Sequence, residues 1–235
     1  MRAIILAGGK GTRLKPYTIS LPKPLVPIGG EMPILEIVIR QLAKCGFKQV
    51  TLAVNHMANI IQAFFGNGSR WGLKIDYSLE ERPLSTIGPL TLIDDLPENF
   101  VVMNGDVLCN LNYARFLKHH TKRGNDITVS TYTREAKIDF GVLKYDRNNK
   151  LVEFSEKPVY RFDISMGVYC MNRRVIEELK RGKPYGFDNL MLDSLKNGRR
   201  VEVKPFHGFW LDIGRPEDFD SANENYDSIK KTLRL

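Results

Sequence analysis

The sequence predicts an α/β protein with a mostly parallel sheet and helices on both of its faces. Short apolar runs alternate with segments of helical periodicity through the first half of the chain. Such alternation calls for crossover connections, and hence for parallel strands covered on both sides. The first run, residues 2–7 (RAIILA), stops on Gly8 and Gly9, the pattern of a buried strand feeding a glycine loop. The 235 residues are 43% hydrophobic and 26% charged, enough apolar matter for a full core in an ordinary globular domain.

The elements follow in order. Residues 33–45 (PILEIVIRQLAKC) carry apolar positions at helical spacing, with Pro33 at the start and Gly46 as the stop. A strand is predicted over 49–54, a helix over 57–65 ending at Gly66, and a strand over 73–78. The Pro- and Gly-rich loop 82–89 leads to a short helix near 90–95, and a buried strand over 100–104 ends on Gly105–Asp106. The second half reads as strands at 127–132, 140–145, 150–154, 164–171 and 201–205, with a hairpin turn at 145–150. Helices are predicted at 113–122, 173–181, 187–196 and 216–231. With no linker or internal repeat, 1–235 is read as one domain, with a half at 1–112 and a half at 113–235. Ligands of such sheets bind beyond the carboxyl ends of the strands. The glycine loop, the 82–89 loop and Asp106 are therefore expected to share one crevice.

Composition removes several classes. The formal charge of +8 is spread in pairs such as Lys122–Arg123 and Arg199–Arg200, with no long basic tract, so it reads as a solvated surface and nucleic-acid binding is not expected. No apolar run approaches the roughly 18 residues that cross a bilayer, and the opening stretch lacks the long apolar region of a signal peptide. Cys45, Cys109 and Cys170 are odd in number and far apart, against a disulfide framework or a zinc site and in favour of reduced thiols in the cytoplasm. The adjacent His119 and His120 do not face one site on a helix.

Residues 8–13 read GGKGTR, which has neither the P-loop nor the dinucleotide spacing. The composition still suits a triphosphate. Glycines let backbone N–H groups approach phosphate oxygens, Thr12 adds a hydroxyl donor, and Arg13 a charged fork. Three glycines alone fit a flexible turn equally well. The wider stretch, ILAGGKGTRLKPYTISLPKPLVPIGG, resembles the opening of sugar-phosphate nucleotidyltransferases, which read GGxGTRLxP followed by PKP. The match spans Gly8 to Arg13, Pro16 and Pro22–Lys23–Pro24. Later pieces keep the family's order: NGD at 104–106, FGV at 140–142, EKP at 156–158, GVY at 167–169 and WLDIG at 210–214.

The resemblance implies a Rossmann-like three-layer αβα fold with a mixed, mostly parallel central sheet. It also implies a reaction in which a sugar-phosphate oxygen attacks the α-phosphorus of a nucleoside triphosphate and pyrophosphate leaves. On that basis Arg13 and Lys23 are the expected catalytic cations. Leu6, Ala7, Gly8, Gly9, Gly11, Thr12, Thr86, Gly88 and Gly105 are expected to bind nucleotide. Asp106 and Asp212 are expected to hold Mg²⁺, and Gly141, Glu156, Lys157 and Ser165 to take the sugar phosphate. Relatives often carry Asn where Ser165 stands, and LGTAGP where residues 84–89 read LSTIGP, so the bulk of Ser85 and Ile87 is expected to alter the base pocket. Glu81 is a further candidate to accept from a base N–H.

The general run of the chain resembles mannose- or heptose-type guanylyltransferases, which implies GTP; relatives using UTP, CTP or dTTP share the same motifs. The family frequently forms dimers or larger assemblies, so a homo-oligomer is a further expectation. The competing readings are a silent nucleotide-sugar-binding relative, a glycosyltransferase and a basic nucleic-acid-binding module. The presence of Arg13, Lys23, Asp106 and Asp212 speaks against the first, and the lack of a DxD motif against the second.

Overall fold

The computed structural model describes residues 1–235. In chain order the elements begin with β1 (Arg2–Leu6), the small hairpin β2 (Pro27–Ile28) and β3 (Met32–Pro33), α1 (Ile34–Lys44), β4 (Gln49–Val54) and α2 (Ala58–Phe65). Then come β5 (Lys74–Leu79), β6 (Asn99–Asn104), β7 (Val107–Cys109), α3 (Tyr113–Arg123) and β8 (Ile127–Lys137). The chain continues through β9 (Val142–Tyr145), β10 (Leu151–Ser155), β11 (Val159–Asn172), α4 (Arg174–Glu177) and α5 (Phe187–Lys196). It ends with β12 (Val201–Phe206), β13 (Trp210–Asp212), α6 (Pro216–Glu224) and α7 (Tyr226–Leu233).

Seven strands form the main sheet in the order β12-β8-β11-β6-β1-β4-β5. All its pairings are parallel except those of β11, which runs against both β6 and β8. The sheet is thus mixed and mostly parallel, as expected, and it runs unbroken from the first half of the chain into the second. Strand periodicity divides the interior. Ala3 and Ile5 of β1 join a core with α1, α2, α3 and the last two helices, while Ile4 joins a smaller core on the opposite face with Ile87, Phe100 and Val102. Helix α1 buries its apolar positions Ile34, Leu35, Ile37, Val38, Ile39 and Leu42 and also Glu36 and Gln41, so it is covered on most of its circumference.

Several elements differ from expectation. The single helix predicted over 216–231 is two, broken at Asn225, which closes α6 with its backbone and donates its side-chain amide back to the Ser221 carbonyl at 2.8 Å. The helix over 173–181 is confined to α4, and the one near 90–95 is a 3₁₀ turn at Gly88–Leu92. Strands β8 and β11 run past the predicted ends, pairing as far as Lys137 with Val159. Their outer halves, with the hairpin β9–β10, form an arm that contributes no residue to either core. Leu143, Tyr145, Leu151 and Phe154 share one face of that hairpin and are exposed, while Lys144 and Glu153 pair on the other at 2.8 Å.

Beneath α3 lies a closed polar network. His120 is fully buried, its Nδ1 2.8 Å from the Thr128 hydroxyl and its Nε2 3.1 Å from the Asn99 side-chain oxygen. Burial pushes its pKa down to about 4; Asp126 and Glu202 oppose the shift, and His119 and Arg174 reinforce it. A histidine held neutral in the fold binds its proton more readily when unfolded, so stability is complete above the ordinary value of 6.5 and falls as pH drops toward 4. Asp126 and Glu202 are held below their usual range, by backbone and Arg174 contacts and by Asn125 respectively, and lose their stabilisation only at lower pH. Thermal melts are therefore expected to decline between pH 6.5 and 4.5 in the wild type. His120→Gln should melt lower at pH 7, by an amount corresponding to about 1–3 kcal/mol, and the gap should narrow as pH falls. A constant gap across this range contradicts the assignment.

Candidate active site

Strand β1 has β4 on one side and β6 on the other, so the chain leaves it in opposite directions and a crevice opens beyond the carboxyl ends. The loop after β1 and the loop after β6 meet there. The Gly105 amide donates to the Leu6 carbonyl at 3.0 Å, and a side chain at Gly105 would sit 3.1 Å from that oxygen. Gly11 is left-handed at φ +61°, and a Cβ there would strike Thr18 at 2.9 Å. At Gly9 a Cβ would meet nothing within 4 Å, so packing alone does not require glycine there. That space borders a cavity of about 390 Å³ that includes Gly8, Gly9, Asn55, Glu80, Ser85 and Thr86. A second hollow shares Leu6, Gly9 and Asn104 with it and adds Ala7, Lys23, Gly105 and Asp106.

Lys23 is held between Pro22 and Pro24 at the head of a 3₁₀ turn. Its ammonium pairs with the Asp106 carboxylate, and only 12% of the lysine side chain is exposed. Asp212 reaches the same place from β13. This strand pairs antiparallel with β7 so that Asp212 opposes Val107, and the Ile213 amide donates to the Asp106 carbonyl at 3.1 Å. Burial raises the Asp212 pKa, and the Asp106 charge raises it further, while Lys23 and Arg13 act in the other direction. The four ionic residues singled out in the sequence thus influence one another across one cleft. Arg13 and Asp212 also border a neighbouring cavity of about 460 Å³, with Tyr132, Arg134 and Trp210. Trp210 fixes β13 by donating its indole N–H to the Met166 carbonyl at 2.9 Å and packing on Tyr132. Two carboxylates set close enough to repel are a donor set suited to Mg²⁺, which commonly takes one or two protein carboxylates and completes its shell with phosphate and water.

Other expected residues lie elsewhere. Thr12 is exposed in the turn Thr12–Leu14. Gly88 does not line the 390 Å³ cavity: its amide donates to the Tyr185 carbonyl at 3.0 Å, and a Cβ there would lie 2.6 Å from the Lys183 oxygen. Ile87 points into the smaller core, so its bulk fills the interior rather than the pocket; Ser85 does line the cavity, at φ +64°. Gly141 and Glu156 meet on the arm, where a Cβ on Gly141 would be 3.2 Å from a Glu156 oxygen, and Lys157 follows at φ +43°. No hydrogen bond or ion pair joins these three to Asp106 or Asp212. Ser165 begins the bulge in β11, donating to the Tyr169 hydroxyl at 3.0 Å, and this bulge brings Gly167 against Asn104.

Glu81 faces away from the crevice. It lines the largest cavity, about 1000 Å³, where opposite charges already pair, as in Arg2–Asp95 at 2.9 Å and Lys74–Asp76 at 2.7 Å. Its neighbour Glu80 lines the cleft instead. Sequence reading missed Glu80, Asn55, Asn104 and Arg134. The first three sit at or just beyond the carboxyl ends of β5, β4 and β6, and Arg134 lies within β8. Position at or just past a strand end is the signal that could have found those three.

A profile described as nucleotidyl transferase matches residues 2–229. The catalytic subunit beta of mannose-1-phosphate guanylyltransferase from Dictyostelium discoideum is 35% identical over 229 residues, covering 94% of this chain; the chain spans 63% of that relative's length. The crystal structure of HddC from Yersinia pseudotuberculosis complexed with GMP-PN superposes with a TM-score of 0.72 at 27% identity, covering 96% of this chain and 99% of that one. A putative glucose-1-phosphate thymidylyltransferase from Bacillus anthracis, in complex with a sucrose, gives 0.76 at 25% identity and covers 95% and 94%. With its glycine loop, paired carboxylates and sheet order all in one arrangement, the chain belongs to the nucleotidyl transferase family.

Proposed function

We propose that the protein transfers the nucleotidyl group of GTP to a mannose- or heptose-type sugar 1-phosphate, giving a nucleotide sugar and pyrophosphate. The observation that carries this reading is the meeting of the glycine loop, Lys23, Arg13, Asp106 and Asp212 at the switch point of the sheet. The choice of GTP is supported by the guanylyltransferase relative and by the guanine nucleotide analogue bound to HddC.

The sugar-phosphate oxygen attacks the α-phosphorus, a P–O bond forms there, and the bond to the β-phosphate oxygen breaks. Both reactants are anions, so the chemistry needs positioning and charge compensation rather than a strong base. Backbone donors of Gly8, Gly9 and Gly11 hold the triphosphate, and Arg13 takes the departing phosphates. Lys23, released from Asp106 when phosphate arrives, offsets charge at the α-phosphoryl group. Asp106 and Asp212 hold Mg²⁺, which supplies neutralisation of phosphate charge when bound. Lys157 takes the phosphate of the sugar, while Glu156, Gly141 and Ser165 face its hydroxyls. The arm that bears Gly141, Glu156 and Lys157 closes toward the crevice to do so.

Pyrophosphate release from a panel of nucleoside triphosphates against common sugar 1-phosphates tests the reading. GTP with a mannose- or heptose-type phosphate is expected to give turnover that EDTA abolishes. Preference for UTP, CTP or dTTP overturns the choice of base, and nucleotide binding without turnover identifies a silent relative. Asp106→Ala and Asp212→Ala should each lower kcat by on the order of 10³ while still melting cooperatively as folded proteins; wild-type rates in either variant rule out the metal pair. Lys157→Ala should raise KM for the sugar phosphate roughly ten- to a hundredfold and leave KM for the triphosphate nearly unchanged, an assignment that equal effects on both constants would remove.

A further inference from the structure

Three arginines, Arg13, Arg134 and Arg215, line the cavity of about 460 Å³ beside Asp212. None of their guanidinium groups forms an ion pair, whereas Arg2, Lys74 and Arg181 in the 1000 Å³ cavity pair with Asp95, Asp76 and Asp94. The backbone keeps nearby acids away from them. Strand alternation puts Arg134 on the face of β8 that carries Tyr132, which packs on Trp210. It sends the next residue, Glu135, to the opposite face, where Arg161 takes it at 2.9 Å. Asp218 turns its carboxylate to the Arg215 amide, at 3.0 Å, and so caps α6 instead of pairing with the guanidinium. Gly214 keeps the space between Asp212 and Arg13 open: a Cβ there would lie 3.3 Å from an Asp212 oxygen and 3.8 Å from an Arg13 nitrogen. Gly8, Gly9, Lys23 and Asp106 do not line this cavity, so it lies beside the reacting centre and meets it at Arg13 and Asp212.

We propose that Arg134 and Arg215, with Arg13 at the border, form a second phosphate subsite next to the metal pair, an inference that rests on the nucleotidyl-transfer reading above. Each guanidinium presents a planar fork of donors that matches two oxygens of a phosphate. Around one cavity, three such forks whose charge no carboxylate in the wall already takes up are suited to a dianion and repel a cation. Asp212 does not cancel them, because on that reading its charge goes to the metal. Two sources bring a dianion here. One is pyrophosphate, which leaves beside Arg13 and passes on to Arg134 and Arg215. The other is a second phosphate on the sugar substrate, carried on the ring while its 1-phosphate lies at Lys157. Arg161, one residue from the partner of Arg134 in β11, is paired with Glu135 on the other face and takes no part.

The test is calorimetric binding, in the presence of Mg²⁺, of inorganic pyrophosphate, mannose 1-phosphate and mannose 1,6-bisphosphate. It compares the wild type with Arg134→Gln, Arg215→Gln, the double variant and Arg161→Gln, with melting curves to establish folding. Arg134 and Arg215 are exposed and outside both cores, so the variants are expected to fold; if the double variant does not, the single ones decide. Where pyrophosphate is the ligand, each single substitution should weaken it roughly tenfold and the double one by on the order of 10². Where the ligand is a phosphate on the sugar, the wild type should bind the bisphosphate roughly tenfold or more tightly than the 1-phosphate, and the double variant should lose that preference. Arg161→Gln removes the same charge and should leave both at their wild-type values. Folded cavity variants that match the wild type with pyrophosphate and with both sugar phosphates overturn the subsite, and so does an equal loss in Arg161→Gln, which would reduce the effect to net charge. Binding needs no turnover, so this measurement decides the subsite even in a protein that proves inactive with every nucleotide, the outcome that would overturn the proposed reaction instead.

Discussion

The parallel pairing of β1 with β4 on one side and β6 on the other is the constraint on which the rest depends. Parallel strands end at the same edge of a sheet, so their following loops emerge together. Residues distant in the chain, such as Gly9 and Asp106, become neighbours without any contact designed between them. The buried aliphatic side chains of β1 and β6 supply the energy that holds this geometry. The polar residues at the strand ends contribute little to it, which leaves them free to serve a ligand.

Within the crevice the charges are arranged to be incomplete. Lys23 neutralises Asp106, but Asp212 remains burdened by burial and by the neighbouring carboxylate. Asp106 and Asp212 stand beside the glycine loop. On the reading proposed above, a metal–triphosphate pair would match both sets of groups at once, whereas either partner alone would leave one set unmatched. The positive formal charge of the chain does not create this site; it is distributed over the surface.

The sequence was most readable where a physical signal was local. Strand β4 and helix α5 were legible to the residue because apolar periodicity and flanking Gly or polar breaks agree there. The strands β7 and β13, three residues each, are too short to show a period, yet they set Asp212 beside Asp106. The helix break at Asn225 was hidden because both flanking segments have good helical spacing, and only the cap geometry separates them. Motif residues Arg13, Lys23, Asp106 and Asp212 were found from resemblance and from chemical type. Glu80 was not, because two consecutive glutamates are indistinguishable until the sheet assigns them opposite faces. Ile87 was misjudged for the same reason: a loop sequence does not say which side chains turn inward.

The arm formed by the outer halves of β8 and β11 and by β9–β10 shares no side chain with either core. Its unfolding therefore removes no buried contact from the body, and a two-stranded hairpin is only marginally stable alone. Thermodynamically the arm is a separate cooperative unit attached to a rigid one. Its amides should exchange with solvent through local opening long before those of β1 or β6, and the turn around Asp146 is the place where a protease can nick the chain while the sheet remains intact.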